Sequence, residues 1–142
     1  MAATDTKRTG LHNQKRGVCV FVSEVLASAA ADGIATVSDG STVCTLPDKS
    51  AIISVKLLVQ TASASSDTLD VSYNGTVVAN ELTADATAND FYSGTVLAAG
   101  AYSATGGDIV VLDGSQPVDA NFRGRLVVEY VELDKVTGEY TA

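Results

Sequence analysis

Apolar and polar residues alternate with a period of two over much of the chain after residue 16, a pattern typical of β-strands. The clearest run predicts one strand with four side chains on a single face: Ile53, Val55, Leu57 and Val59. At 18–23 apolar residues occupy both sets of positions, so both faces of that strand are predicted to be at least partly covered. The last predicted strand, at 125–133, is long and strongly apolar.

A hairpin is predicted around Asn74-Gly75, a dipeptide that suits the positive φ values of a tight type I′ turn. Leu69, Val71 and Tyr73 share one face before this turn. Other segments carry weaker signals. The return strand is predicted at 76–78, short strands at 34–37, 42–46, 91–97 and 108–112, a brief helical turn at 27–31, and a long loop at 80–90.

About eight strands with no long helix predict an all-β protein, an antiparallel β-sandwich whose specific form is a jelly roll. Residues 1–16 lack apolar periodicity and are predicted to be a flexible basic N-terminal arm. Residues 17–142 are predicted to form a single β-sandwich domain, because a chain of 142 residues has the length of one domain.

Charge divides the chain into two parts. The net charge is −8, but the first sixteen residues carry four bases against one acid, and the remainder carries five bases against sixteen acids. The acidic body argues against nucleic acid as the main partner, because phosphate binding needs a basic face. The candidate partner-binding residues are therefore basic ones, in the arm and at the start of the last strand: Lys7, Arg8, Lys15, Arg16, Arg123 and Arg125.

The sequence offers no constellation for catalysis, so we expect a protein that is not an enzyme, with no catalytic residue, metal or cofactor. The one histidine, His12, lies in the predicted arm, which cannot hold the geometry that a catalytic triad needs. Asp85, Asn89 and Asp90 are the best candidates for a hard cation, but their spacing does not match that of an EF-hand loop.

Two pairs of residues have simple structural interpretations. Glu129 and Glu132 are three positions apart in a strand and are predicted to point to opposite faces, so they do not form a glycosidase pair. We interpret them as edge charges that discourage unwanted strand pairing. Cys19 and Cys44 are expected to be small, buried, unpaired thiols, since no secretory signal peptide precedes them. No apolar run approaches the ~18 residues that cross a bilayer, so no membrane partner is expected.

Three segments resemble small structural proteins encoded near capsid genes in tailed phages, of the capsid decoration or cement type. They are IISVKLLVQTA at 52–62, TGGDIVVLDG at 105–114 and GRLVVEYVEL at 124–133, and the resemblance spans roughly residues 50–133. It implies a jelly-roll β-sandwich that forms a homotrimer, binds the major capsid protein on the outer capsid surface of the virion, and is assembled in the host cytoplasm.

Two alternatives stay open at this point. One is a tail or neck component of the virion, which the sequence does not separate from a head protein. The other is a glycan-binding β-sandwich module of a tail fibre, for which Tyr92 and Tyr102 are the candidate stacking residues.

Overall fold

The computed structural model describes residues 17–28, 35–38, 40–63, 66–84 and 88–133. The predicted arm and part of the predicted helical turn lie outside these ranges. The described residues form eleven strands and one 3₁₀ turn. The strands are β1 Cys19–Val22, β2 Leu26–Ala27, β3 Ala35–Thr36, β4 Ser41–Leu46, β5 Ser50–Thr61, β6 Thr68–Tyr73, β7 Thr76–Thr83, β8 Asp90–Gly94, β9 Tyr102–Ser103, β10 Gly107–Asp113 and β11 Arg123–Glu132, and the 3₁₀ turn is Ala98–Gly100.

The strands form two sheets that share one core. The larger sheet has the order β3-β2-β11-β5-β8, with β1 also paired to β11 and β9 also paired to β5. The smaller sheet has the order β4-β10-β6-β7. Among the described strands the pairing is antiparallel except for the short contact between β2 and β3. The all-β antiparallel sandwich is thus confirmed, while the jelly roll stays a prediction.

The centre of the larger sheet is the pair β5 and β11, in which two extra residues of β5 interrupt the ladder. Tyr130 pairs with Ile52 and Glu129 with Ser54, so Ile53 is bulged, and a second bulge falls at Gln60. A bulge shifts the alternation of a strand by one position. The predicted face is therefore correct for the residues between the bulges and wrong for Ile53, which is 50% exposed while Ile52 is 5% exposed.

The hairpin between β6 and β7 is confirmed, with φ of 49° at Asn74 and 83° at Gly75. Its return strand is longer than predicted and continues to Thr83, so the first part of the predicted loop at 80–90 is wrong. Register shifts interrupt the pairing, and Glu81 has a φ of 55°. Because of these irregularities, the sequence of β7 does not show a period of two.

Aliphatic residues from both sheets, together with Tyr73 and Phe122, fill the core. Its fully buried members include Val55, Leu57, Val59, Leu126 and Val128 from the larger sheet and Leu69, Val71, Tyr73, Ile109 and Val111 from the smaller sheet. The Tyr73 hydroxyl crosses between the sheets and donates to the Ser50 carbonyl at 3.1 Å. Burial is the main cause that raises the pKa of Tyr73.

Candidate interaction surface

The side of the larger sheet that faces away from the core is called the outer face here. Pairing of β1, β11, β5 and β8 places its side chains in cross-strand rows, because directly paired residues point to the same side. The rows are Val20–Glu129–Ser54, Val22–Val127–Lys56–Ser93 and Arg125–Leu58–Phe91. Long-range pairing alone creates this surface, since its strands come from distant parts of the sequence.

The outer face is unusually apolar for a surface in contact with water. Val20 is 59% exposed and Phe91 is 55% exposed. Nine large apolar side chains are exposed among the described residues, and seven of them belong to the outer face or its edges: Val18, Val20, Val22, Ile53, Phe91, Tyr102 and Leu133. A contiguous set of this kind marks an interaction surface more often than an ordinary solvated one.

A groove of about 380 Å³ lies at the centre of the outer face. Its lining is Val20, Lys56, Phe91, Ser93, Val127 and Glu129. The Lys56 ammonium lies 3.5 Å from a Glu129 carboxylate oxygen, and the Ser54 hydroxyl donates to the same carboxylate. The Ser54 hydrogen bond, followed by the positive charge of Lys56, lowers the pKa of Glu129. The groove thus contains an ion pair, Lys56 with Glu129, whose charges neutralise each other.

Replacing Ser54 with alanine is expected to raise the pKa of Glu129 toward its ordinary value, because the largest cause of the lowered pKa is removed. A lowered carboxyl pKa stabilises the fold above the unfolded-state pKa, and this contribution is lost as the pH falls through the folded-state value. The Ser54→Ala variant should therefore differ from the wild type more at neutral pH than in acid. Carbon-detected NMR titration of the glutamate side chains measures the shift.

The matched control for this titration is Thr45→Ala. It removes another hydroxyl–carboxylate hydrogen bond, from Thr45 to Asp108 at 2.6 Å, on the smaller sheet. The pKa of Glu129 should stay at its wild-type value in this control. An unchanged pKa of Glu129 in Ser54→Ala would contradict the assignment of the Ser54 hydrogen bond.

The outward side of the smaller sheet has a different character. Asp108 and Asp70 point away from the core there, and the Asp70 carboxylate accepts the Glu81 backbone N–H at 2.8 Å. Two apolar residues on this side, Val110 and Leu112, are half-buried beside the chain at Gly40. The smaller sheet therefore presents hydroxyls and carboxylates, and of its outward apolar residues Val110 and Leu112 are partly covered by its own chain while Val77 is exposed.

The sandwich edge beside β1 and β4 holds a second, smaller groove. Its volume is about 260 Å³, and its lining is Phe21, Val22, Glu24, Thr42 and Val43. Both strands are edge strands of their sheets among the described residues. At the opposite edge of the sandwich, beside β7, the Leu97 N–H donates a backbone hydrogen bond to the Val78 carbonyl at 2.8 Å.

The structure places two of the six predicted partner-binding residues. Arg123 donates to the Ala120 and Phe122 carbonyls at 3.0 and 2.7 Å, and thereby holds the turn that leads into β11. Arg125 lies on the outer face and donates to the Ser23 carbonyl at 3.0 Å. Each has a local structural role, and their predicted role toward a partner stays a prediction. The other four residues lie outside the described ranges: Lys7, Arg8, Lys15 and Arg16.

The structure describes only some of the other candidates from the sequence. Asp85 and His12 lie outside the described residues. Asn89 is exposed, and the Asp90 carboxylate accepts the backbone N–H of Phe91 at 2.9 Å. Within the described ranges no group of three or more histidine, cysteine, aspartate or glutamate residues could hold a metal ion.

The aromatic and acidic candidates differ from their predicted settings. Tyr92 is half-buried against the core, which makes it a poor stacking platform, while Tyr102 is exposed. The interpretation of Glu129 as an edge charge is wrong, because β11 lies between β5 on one side and β1 and β2 on the other.

The two cysteines are free thiols that are half-buried rather than buried. Desolvation, with a smaller contribution from Asp108, raises the pKa of Cys44 to about 11. This thiol therefore stays protonated at neutral pH and is a poor nucleophile. No helix in the described part of the chain is long and apolar enough to cross a membrane.

Sequence reasoning missed the outer face, although its signal was present. Apolar residues at both sets of positions in β1 predicted cover on both faces, yet only one side of the strand meets the core. The same pattern occurs in β11, where Val127 and Val131 point outward. Only the pairing partners show that these outward residues form one surface.

Two chains of solved structures are similar to this one. No family model and no curated protein matches the sequence. A chain of the cyanophage Pam1 capsid asymmetric unit is similar over 81% of this chain and 86% of that chain, with 18% identity and a TM-score of 0.51. A chain of the Helicobacter pylori bacteriophage KHP30 capsid matches 81% of this chain and 91% of its own length, with 13% identity and a TM-score of 0.46. At these identities the Pam1 likeness shows the fold.

Proposed function

We propose that this chain is a structural protein of a tailed-phage virion, of the capsid decoration or cement type, which binds the outer capsid surface and stabilises the head. The observation that carries the proposal is the fold, shared over most of both chains with a chain of the Pam1 capsid asymmetric unit. The sequence resemblance at residues 50–133 to small proteins encoded near phage capsid genes supports it independently.

Two further features of the structure support the proposal. The outer face exposes apolar side chains such as Val20 and Phe91. Monomeric proteins rarely expose several such side chains in one patch. The strand order also favours the jelly roll, since each sheet interleaves strands from the two halves of the chain, as two Greek keys do.

The proposed partner is the major capsid protein, and the proposed assembly is a homotrimer on the virion surface. Three linked binding sites raise the effective concentration of each contact, so weak individual contacts suffice. The basic residues of the arm, with Arg123 and Arg125, are the proposed charged contacts to this partner. The basic arm can bind an acidic surface of a neighbour, and the acidic body can bind a basic one.

Particles that lack this protein are expected to release their DNA at a lower temperature than complete particles, because bridging contacts between capsomers are lost. A fluorescent DNA dye measures release during heating. Adding back the purified protein should restore the release temperature. Equal heat stability of both particles, together with no rebinding, would contradict the proposal. Mass spectrometry of intact particles adds a copy number: hundreds support a head protein, and a few would assign it to the tail or neck.

The contribution of the arm is tested in the same rebinding assay. Replacing Lys7, Arg8, Lys15 and Arg16 with glutamine should weaken rebinding roughly thirtyfold, since each exposed ion pair contributes about 0.5 kcal/mol. The matched control exchanges lysine and arginine at these four positions and keeps the charge, so it should rebind normally. Equal rebinding of both variants would remove the arm from the contact.

A further inference from the structure

Three strands of the larger sheet, β1, β5 and β11, carry apolar residues on both sides, but the described residues cover only one of those sides. Val20 and Val22 in β1, Val127 in β11 and Leu58 in β5 all point away from the core. Strands with this pattern are normally buried on both faces, whereas a sheet with one solvated face shows apolar and polar residues in alternation. β6 shows that alternation, with Asp70 and Ser72 directed outward.

We infer that the outer face is the surface through which copies of this chain associate with one another. The inference rests on the proposed function, which requires copies of this chain to associate, and it names the surface through which they do so. A flat apolar sheet face packs best against another apolar surface across about 10 Å. A second copy carries the same apolar surface, including the same valines on β1.

Charge favours a second copy at this face and disfavours one elsewhere. Each copy has a net charge of −8, so two copies repel unless they meet where the local charge is small or positive. The central charges of the outer face are Lys56, Arg125 and Glu129, and the glutamate is already paired with the lysine. The outward side of the smaller sheet instead presents Asp70 and Asp108. In a contact between two such sides, these carboxylates would face the carboxylates of the second copy.

The area of the outer face is also adequate. The four strands β1, β11, β5 and β8 have four, ten, twelve and five residues, which at about 3.3 Å per residue and 4.8 Å between strands give a flat area of roughly 500 Å². Side-chain relief makes the accessible area larger than this flat estimate. A stable interface buries about 800 Å² on each partner, so the outer face has the size that such an association needs.

The ion pair at the centre of the groove suits such an association. A buried charge without a partner opposes binding strongly, but the Lys56 ammonium and the Glu129 carboxylate neutralise each other within one copy at 3.5 Å. The Ser54 hydroxyl satisfies the same carboxylate. The groove can therefore be covered by an apolar surface without leaving an unpaired charge.

The test replaces two exposed residues of the outer face, in the variant Val20→Lys/Phe91→Lys. The wild type is expected to be oligomeric at micromolar concentration by light scattering coupled to size exclusion. The variant should be monomeric, with a dissociation constant raised at least about a hundredfold, because burying unpaired lysines at the interface is strongly unfavourable. The matched control is Val77→Lys on the smaller sheet, which is 39% exposed and lies off the outer face. It should stay oligomeric.

Folding of each variant is checked by its urea midpoint. A milder pair, Val20→Thr/Phe91→Ser, replaces the lysine variant if that one unfolds, and it should also weaken the oligomer. A monomeric wild type, or a variant that stays oligomeric, would overturn the inference.

Rebinding to particles separates the two proposals. Lysine variants that remain oligomeric but no longer rebind would show that the outer face meets the capsid protein instead, which overturns the inference and leaves the proposed function intact. A wild-type oligomer that the variant dissociates, but that binds no particle, would support the inference and contradict the proposed function.

Discussion

Replacing Ile52 with alanine is expected to lower the free energy of unfolding by about 2–4 kcal/mol, while the same change at Ile53 should cost less than about 1 kcal/mol. The two residues are adjacent and chemically identical, but Ile52 is 5% exposed and Ile53 is 50% exposed. The alanine at position 52 leaves a cavity beneath Tyr130, its partner on β11. At position 53 the lost methylene groups mostly face solvent. Urea denaturation of both variants measures the difference.

This comparison tests the bulge directly. If β5 alternated without interruption, Ile53 would share the core face with Val55, and the order of the two effects would be reversed. Leu57→Ala and Leu58→Ala serve as the control pair, since they lie between the bulges. Leu57 is fully buried and Leu58 half-buried, so the loss should be larger at Leu57. Equal losses at Ile52 and Ile53 would contradict the register of β5.

Replacing Gly106 with alanine is expected to cost about 3 kcal/mol or more, since backbone strain and overlap act together. Gly106 has a φ of 70°, a conformation that a residue with a Cβ adopts only with strain. Its Cβ would lie 2.3 Å from the Leu46 carbonyl oxygen and 2.6 Å from that of Pro47. These are backbone atoms next to the pairing of Leu46 with Gly107, so they cannot move without disturbing the smaller sheet.

Gly75→Ala is the matched control for this prediction. Gly75 has a φ of 83°, but nothing lies within 4 Å of the position that its Cβ would occupy. The change there should cost only the backbone strain, about 1–2 kcal/mol. In thermal and urea unfolding, the Gly106→Ala variant should therefore be clearly less stable than the Gly75→Ala variant. Equal stability would show that the contact with Leu46 relaxes freely.

Much of the fold could be predicted because local signals and long-range structure agreed. The Asn74-Gly75 turn and the alternation of Leu69, Val71 and Tyr73 specify a hairpin without any knowledge of its neighbours. The prediction failed where pairing required an irregular strand. Ile53 is displaced by a bulge, and the shifts near Glu81 hid the second half of β7. Bulges depend on the partner strand, which lies dozens of residues away in the sequence.

The candidate surface was less predictable than the fold. In the sequence, apolar residues such as Val20 and Phe91 cannot be distinguished from core residues, because a strand pattern does not say which side meets the core. The predicted site consisted of basic residues. Two of these, Arg123 and Arg125, hold backbone carbonyls of their own chain.

The sequence by itself determined the class of the fold, since a period of two, tight turns and the lack of long helical patterns leave an all-β sandwich as the physical solution. It also determined the division of charge between the arm and the acidic body. Only the tertiary structure decided which apolar side chains of the larger sheet face solvent. Burial depends on the strands and sheets that pack together, and β1, β5, β8 and β11 become neighbours only when the chain folds.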